Sequence, residues 1–436
     1  EILMRDIAGS AVNDFYIPSS AGNYSVTGGT IRINVANGNI FKISSTAPLY
    51  NLIIENGRIS ALSNLKVLND FTLQTGTLQT VGIDTYGSYL DLVPDNITPY
   101  NLYVGRNLTI GDKTVLDVWG WNGSNNSTSA TLTFNGSSNA VFYIGDITSY
   151  SNALIQYRAP AETSGGPDGN FPVAGTGKMH TWEYNLPLYN LIIDKPGATL
   201  SLATKLPGKG DNWGVGQGAA GNWVNSNGGK NVMRWMGALL SITNQIKLLN
   251  GTLNQVDPYN KVTMVTATGA TYGAVGDPVG YSINLYTTDI ENRGRFFEYV
   301  SGVTPKEGIL ELRAPNPITI KSTDGAYFGN IRLALDNPIT IVSNIRFGRI
   351  EYWNGTIDIA THNLKVDEFE FFAVAHATRL PNVASGQPVL EVPHFVKMAG
   401  NESDGGLSLK VPKTTTWPLP NLKVWEYMSI PAYYPF

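Results

Sequence analysis

The residues best suited to recognition lie in one stretch of the chain. Trp213, Trp223 and Trp235 fall within 23 residues, among Asn212, Gln217, Asn222 and Asn225. Flat indole faces stack on sugar rings, and amide side chains hydrogen-bond hydroxyl groups. Trp213, Trp223, Trp235, Asn212 and Asn222 therefore form the candidate ligand-binding set, for a glycan or for a neighbouring subunit. The plainer alternative is that these indoles pack inward as the loop's own small core. Trp119 and Trp121 alternate across a glycine and repeat the theme on a smaller scale.

Other chemistries have weaker carriers. Asp367, Glu368 and Glu370 form the densest acidic cluster, but Val366, Phe369 and Phe371 alternate around it as in a strand with a solvated acidic face. Glycosidase chemistry needs two carboxylates about 5–10 Å apart, and adjacent turns of a coiled β chain could supply such a pair. His180, His362, His376 and His394 stand far apart in sequence, as single surface or turn histidines do. Asp168 within Gly165–Gly169, or Asp211 beside Asn212, could offer oxygen to calcium, yet neither run has the order of an EF-hand. Gly214-Val-Gly216 lacks the strand–turn–helix setting that cradles phosphate. There is no G-x-S-x-G, no P-loop Gly-Lys-Ser/Thr and no H-E-x-x-H. The expectation is a non-enzymatic protein with no catalytic residue, no metal and no cofactor.

A repeat points to the elements that carry these residues. Pro48-Leu-Tyr-Asn-Leu-Ile-Ile54 recurs unchanged as Pro187–Ile193, and a weaker copy is Phe328-Gly-Asn-Ile-Arg-Leu333. Asn51, Asn190 and Asn330 are 139 and 140 residues apart, which argues for duplication. Gly76 and Gly355 each follow their copy's asparagine by 25 residues, whereas Gly251 follows Asn190 by 61. The excess marks an insertion near 207–237, where the tryptophans lie. Tyr157-Arg-Ala-Pro160 and Leu312-Arg-Ala-Pro315 are another matched pair. Leu65 and Val67, like Phe71 and Leu73, alternate with polar neighbours, which is the period of a half-buried strand. Asn-Gly pairs at Asn37, Asn56, Asn122, Asn135, Asn250 and Asn354 favour tight turns. The best helix candidate is Gly237 to Leu249, made ambiguous by Ile242, Thr243 and Ile246.

The fold expected is all-β, with three repeats of about 140 residues. Two architectures fit: a β-solenoid of short rungs, toward which the dense L-x-V and F-x-L pairs lean, or a row of β-sandwiches. The units are 1–150, 151–307 with the insertion, and 308–436 with an aromatic, proline-rich cap from Trp417 to Phe436. That segment is expected to cover the third repeat or dock on a neighbouring chain.

Composition narrows the class further. The chain has 436 residues, 15% charged and 42% hydrophobic, with 46 Gly and 24 Pro. Its net charge of −4 gives no global field for nucleic acid. Zero cysteines remove disulfides and thiolate chemistry together. No run of 18 apolar residues suggests a membrane span. Ten Asn-x-Ser/Thr sequons permit glycosylation without requiring it. Glu1 is not an initiator Met, so a processed N-terminus is expected.

Leu49-Tyr-Asn-Leu-Ile-Ile54, Leu62-Ser-Asn-Leu-Lys-Val67 and Asp70-Phe-Thr-Leu-Gln-Thr-Gly-Thr-Leu78 resemble Bacteroidota-type surface repeats. Similar texture occurs in secreted adhesins of these bacteria and in fibre or virion proteins of their phages. The resemblance covers about a quarter of the chain. It implies a structural or adhesive protein in a virion or at a cell surface, first of all a phage tail fibre or similar appendage. A secreted glycan-binding adhesin and a polysaccharide-cleaving tailspike are the alternatives. The partners implied are copies of the chain, other virion or surface subunits, and host surface glycans, with no nucleic acid and no membrane insertion.

Overall fold

The computed structural model describes residues 1–5, 14–74, 79–118, 129–146, 155–158, 179–182, 186–205, 238–261, 278–296 and 309–372, apart from short gaps within these stretches. It also describes four short strands beyond, 382–383, 390–392, 396–399 and 423–424. Among these residues there are strands and turns and no helix. The ambiguous stretch before Leu249 lies in the strand Ala238–Asn254. Its β-branched residues resist helix, and it is paired along its length with the chain before and after it.

Nearly all pairing is parallel, and the strands fall into ladders that the chain visits in turn. A first ladder stacks Leu65–Val67, Leu102–Val104 and Thr131–Asn135, then passes through residues 190–194 and 245–248 to Asp289–Asn292, Ile318–Ser322 and Pro338–Ile341. A second begins at Ile2–Arg5 and stacks Thr30–Asn34, Asn51–Asn56, Phe71–Leu73, Leu108–Ile110 and Ala140–Asp146. It continues through the ends of Leu186–Lys205 and Ala238–Asn254, through Arg295–Phe296, and on to Lys423–Val424. A third holds Phe15–Ile17, Ile40–Ser45, Arg58–Ala61, Tyr89–Asp91, Thr114–Asp117 and Ile155–Arg158. The antiparallel strand Met179–Trp182 closes that set. A further stack, called the third stack because it occupies the third ladder's place in the order of the chain, runs from Leu186 through Ser282–Leu285 and Ile309–Leu312 to Val396–Ala399.

Alternation within each short strand builds the core. Leu65 and Val67 are buried while Lys66 is exposed, and Phe71 and Leu73 are buried around Thr72. Inward residues of all three ladders join one cluster from Ile33 to Ile350. Each fully buried Leu, Ile or Phe contributes about 1.5–3 kcal/mol. Like residues stack: Phe296 lies on Phe328 with centroids 5.3 Å apart, and Phe328 on Phe347 at the same distance. Where turns are short, equivalent positions recur every 18 or 19 residues, as from Pro338 to Thr356 or from Phe328 to Phe347 to Val366.

The repeated motif turns corners. Leu49 bridges Val67 in the first ladder, and Asn51 opens a strand of the second. Leu188 ends a stretch of the third stack, and Asn190 opens the next stretch of the first ladder. Asn330 follows Phe328 of the second ladder and pairs with Ile309 of the third stack. The three asparagines thus stand in three different ladders, each just past a corner, with Leu52, Leu191 and Ile331 buried beside them. Asn51 donates to the Thr30 hydroxyl at 3.2 Å and accepts from the Asn69 amide at 2.8 Å. Asn190 repeats this with Thr131 at 3.1 Å and Asn244 at 2.8 Å. At Asn51 and Asn190 the motif ties each turn to the turns on either side, whereas the buried side-chain amide of Asn330 has no hydrogen-bond partner among the described residues. Of the matched pair upstream, Tyr157-Arg158 ends a strand of the third ladder and Leu312 ends a strand of the third stack.

A column of close backbone contacts lies where the first ladder passes into the second. A Cβ on Gly105 would meet the Leu68 carbonyl at 2.0 Å, and one on Gly251 the Lys195 carbonyl at 2.3 Å. Lys195 is fully buried in this column and donates to the Gly105 carbonyl at 2.9 Å and the Asn135 carbonyl at 3.3 Å. Burial pushes its ammonium below the usual lysine range. The unfolded chain therefore binds more protons between that depressed value and about 10.4, and stability rises with pH through this window. In Lys195→Met the rise in the urea midpoint over that window is expected to shrink, relative to wild type.

Candidate functional site

The third ladder begins with strands that alternate in burial, at Phe15–Ile17 and Ile40–Ser45, but two of its later strands are buried on both sides. In Tyr89–Asp91 and Thr114–Asp117 every residue is buried. Leu90 and Leu116 point to the main core, while Tyr89 and Val115 form a separate cluster on the outer side. Later in the chain the pattern returns. Leu310, Leu312, Ile331 and Ile350 face the core, and Ile309, Glu311, Asn330, Arg332 and Arg349 alternate with them yet are buried too. Parallel sheets covered on both faces are common, but their strands are ordinarily apolar throughout. Here charge sits in the covered layer, and each charge needs a partner.

The ladder register supplies those partners. Tyr89 pairs with Arg58 and Val115, and Asp91 pairs with Ser60 and Asp117, so Asp91 and Asp117 are one strand apart. Arg58 donates to Asp91 at 2.7 Å, and its guanidinium lies 4.9 Å from the centre of the Tyr89 ring. The Val93 N–H donates to the other Asp91 oxygen at 3.1 Å. The Tyr89 hydroxyl donates to Asp117. Both carboxylates have no exposed surface. Burial first, and then the charges of Asp117 and Asp91, push the Tyr89 phenol well above its usual range. A phenol held protonated in the fold but free to ionise when unfolded loses stability as pH rises past about 10. Tyr89→Phe is expected to flatten the alkaline limb of the stability curve above that pH.

Two carboxylates on adjacent strands have the spacing that a glycosidase pair requires. Chemically, though, this pair is committed: one carboxylate is held by an arginine and a backbone amide, the other by a phenol, and neither meets solvent. The arrangement balances charge inside the covered layer. The same holds for Glu311 and Arg332, paired in register and joined at 2.8 Å.

The expected binding residues Trp213, Trp223, Trp235, Asn212 and Asn222 lie outside the described residues, as do Asp168, Asp211, Trp119 and Trp121. The strands that flank 207–237 are described: one ends in the second ladder at Lys205, and the next begins in the third stack at Ala238. The acidic run Asp367, Glu368 and Glu370 lies in the strand Leu364–Phe372, where Glu368 pairs with Arg349 and Glu370 with Glu351. His180 is in the strand Met179–Trp182, and His362 lies in a bend, while His376 and His394 fall outside the description. Among the described residues no group of three His, Asp or Glu could hold a metal ion. Reading the sequence missed the Arg58–Tyr89–Asp91–Asp117 cluster. Its signal was the recurrence of Leu-Asp at Leu90-Asp91 and Leu116-Asp117, each closing a short apolar strand.

Comparison with protein families, with curated proteins and with solved structures gives no match.

Proposed function

We propose that the chain is a β-solenoid serving as the shaft of an extracellular appendage, most specifically a phage tail fibre or similar virion appendage, with a structural and adhesive role and no catalytic one. The observation that carries this is the second ladder, whose parallel pairing runs from Ile2 to Val424. Fourteen levels at about 4.8 Å make a body about 60 Å long, suited to holding a binding element away from its base. In this reading 1–150, 151–307 and 308–436 are the units of the shaft, and the 139- and 140-residue spacings mark recurring corners in different ladders, not equivalent places in three copied blocks. The insertion near 207–237, with Trp213, Trp223 and Trp235, falls in the chain between the second-ladder strand that ends at Lys205 and the third-stack strand that begins at Ala238, and in this reading it serves glycan or subunit contact. The sealed Asp91–Asp117 pair favours this reading over a polysaccharide-cleaving tailspike. An antibody against the chain should decorate appendages of phage particles in electron micrographs. Labelling confined to the bacterial surface would instead favour the secreted adhesin.

A further inference from the structure

An asparagine followed by glycine can modify itself, because the glycine nitrogen reaches the asparagine side-chain carbonyl with no Cβ in the way. Three such pairs lie among the described residues: Asn56-Gly57, Asn135-Gly136 and Asn250-Gly251. The fold holds two of them. The Asn56 amide donates to the Val35 carbonyl at 2.8 Å, and Gly57 is buried where a Cβ would meet Val35 at 2.7 Å. The Asn250 amide donates to Asp194 at 2.7 Å, and Gly251 lies inside the strand Ala238–Asn254, seated against two backbone carbonyls. Asn135 differs. It ends the strand Thr131–Asn135, and Asn135 to Asn139 are all exposed. Its side-chain amide makes no hydrogen bond among the described residues. Its backbone carbonyl accepts from Lys195 at 3.3 Å, beyond the usual range for such a bond and so a weak tie on the peptide that must turn.

We infer that Asn135 is a site of spontaneous deamidation, with water as co-reactant. Hydroxide removes the Gly136 amide proton, and the nitrogen forms a bond to the Asn135 side-chain carbonyl carbon. The carboxamide nitrogen takes a proton from water and leaves as ammonia. Water then opens the cyclic imide at one of its two carbonyls, leaving an aspartyl or isoaspartyl residue. In sum, a carboxamide and one water become a carboxylate and an ammonium ion. The new charge has a defined neighbour. Asn135 stands in register with Asp194, and like charges directly opposite on adjacent strands repel. Modification therefore weakens the corner where the first ladder passes into the second. The inference is independent of the appendage reading.

The test holds the whole chain at mildly alkaline pH, folded and in urea, and follows the three asparagines by peptide mass spectrometry. In the folded chain the Asn135 peptide should gain the mass of an amide-to-acid change about tenfold faster than the other two, since each of those must first lose a hydrogen bond. In urea the three should react at like rates. Asn135→Gln, whose longer side chain closes the ring less readily, should suppress the change and keep the wild-type melting temperature. Asn135→Asp reproduces the aspartyl product and should melt below wild type, and adding Asp194→Asn should remove that difference. Equal rates at the three positions in the folded chain overturn the inference, as does an Asn135 that reacts in urea and not in the fold. An Asn135→Asp variant that melts as wild type does overturns the repulsion from Asp194.

Discussion

Replacing Gly251 with alanine is expected to cost about 2–5 kcal/mol, a large fraction of the stability of an ordinary protein. Two effects add. Gly251 has φ of +88°, a conformation that costs an L-residue about 1–2 kcal/mol. Its Cβ would also lie 2.3 Å from the Lys195 carbonyl and 2.5 Å from that of Ala198. Those are backbone atoms of the preceding turn, already held by ladder pairing, so they cannot step aside as a flexible side chain can. Overpacking of this kind costs a further 1–3 kcal/mol or about that. Gly197→Ala is the matched comparison. There φ is +70°, but a Cβ meets open space. That variant should lose only about 1 kcal/mol. Urea denaturation of the two side by side checks the difference, and equal losses would show that the close stacking at Gly251 is not a real constraint.

The second large effect is expected at Asp91. Asp91→Ala removes a fully buried carboxylate and leaves the Arg58 guanidinium and the Val93 amide facing a gap. Breaking one side of a buried pair costs about 3–5 kcal/mol. Because the Arg58 side chain keeps 31% of its surface in solvent, a loss near the lower end, about 3 kcal/mol, is expected. Arg32→Ala provides the contrast, since its ion pairs with Glu1 and Glu55 keep contact with solvent, with the Glu1 side chain 55% exposed. Its loss should be clearly smaller than that of Asp91→Ala. Calorimetry on both variants decides whether the covered face of the third ladder holds its charges as described.

How much of this could be read beforehand depended on whether the signal was local. Strand texture at Leu65–Val67 and Phe71–Leu73 was legible, because burial alternates within three residues. The importance of Asn51 and Asn190 was legible too, since an identical heptapeptide demanded an explanation. Their actual work was not. Asn190 bonds Thr131 and Asn244, which lie far from it in sequence, and a common spacing suggested one shared place where the fold uses three corners. The strand at Ala238–Asn254 was ambiguous for the same reason: pairing on both sides decides it, and no single segment contains that information. The buried Arg58–Asp91 pair was illegible because charged residues ordinarily mark solvent. Only the cover over the third ladder reverses that reading.

The most direct test of the solenoid itself is a distance along its first ladder. Lys66, Tyr103, Thr133, Ile192, Lys247, Glu291 and Lys321 succeed one another in register on adjacent strands. The absence of native cysteine allows Lys66→Cys and Lys321→Cys to be combined and spin-labelled at those two sites alone. Six strand steps predict a backbone separation of about 29 Å, and pulsed electron spin resonance should give a single distribution near that value, widened by the label linkers. A row of separate β-sandwiches places residue 66 in its first unit and residue 321 in its third, at least twice as far apart. A dominant distance beyond about 50 Å, more than ten strand steps, would contradict the continuous ladder and the shaft built on it.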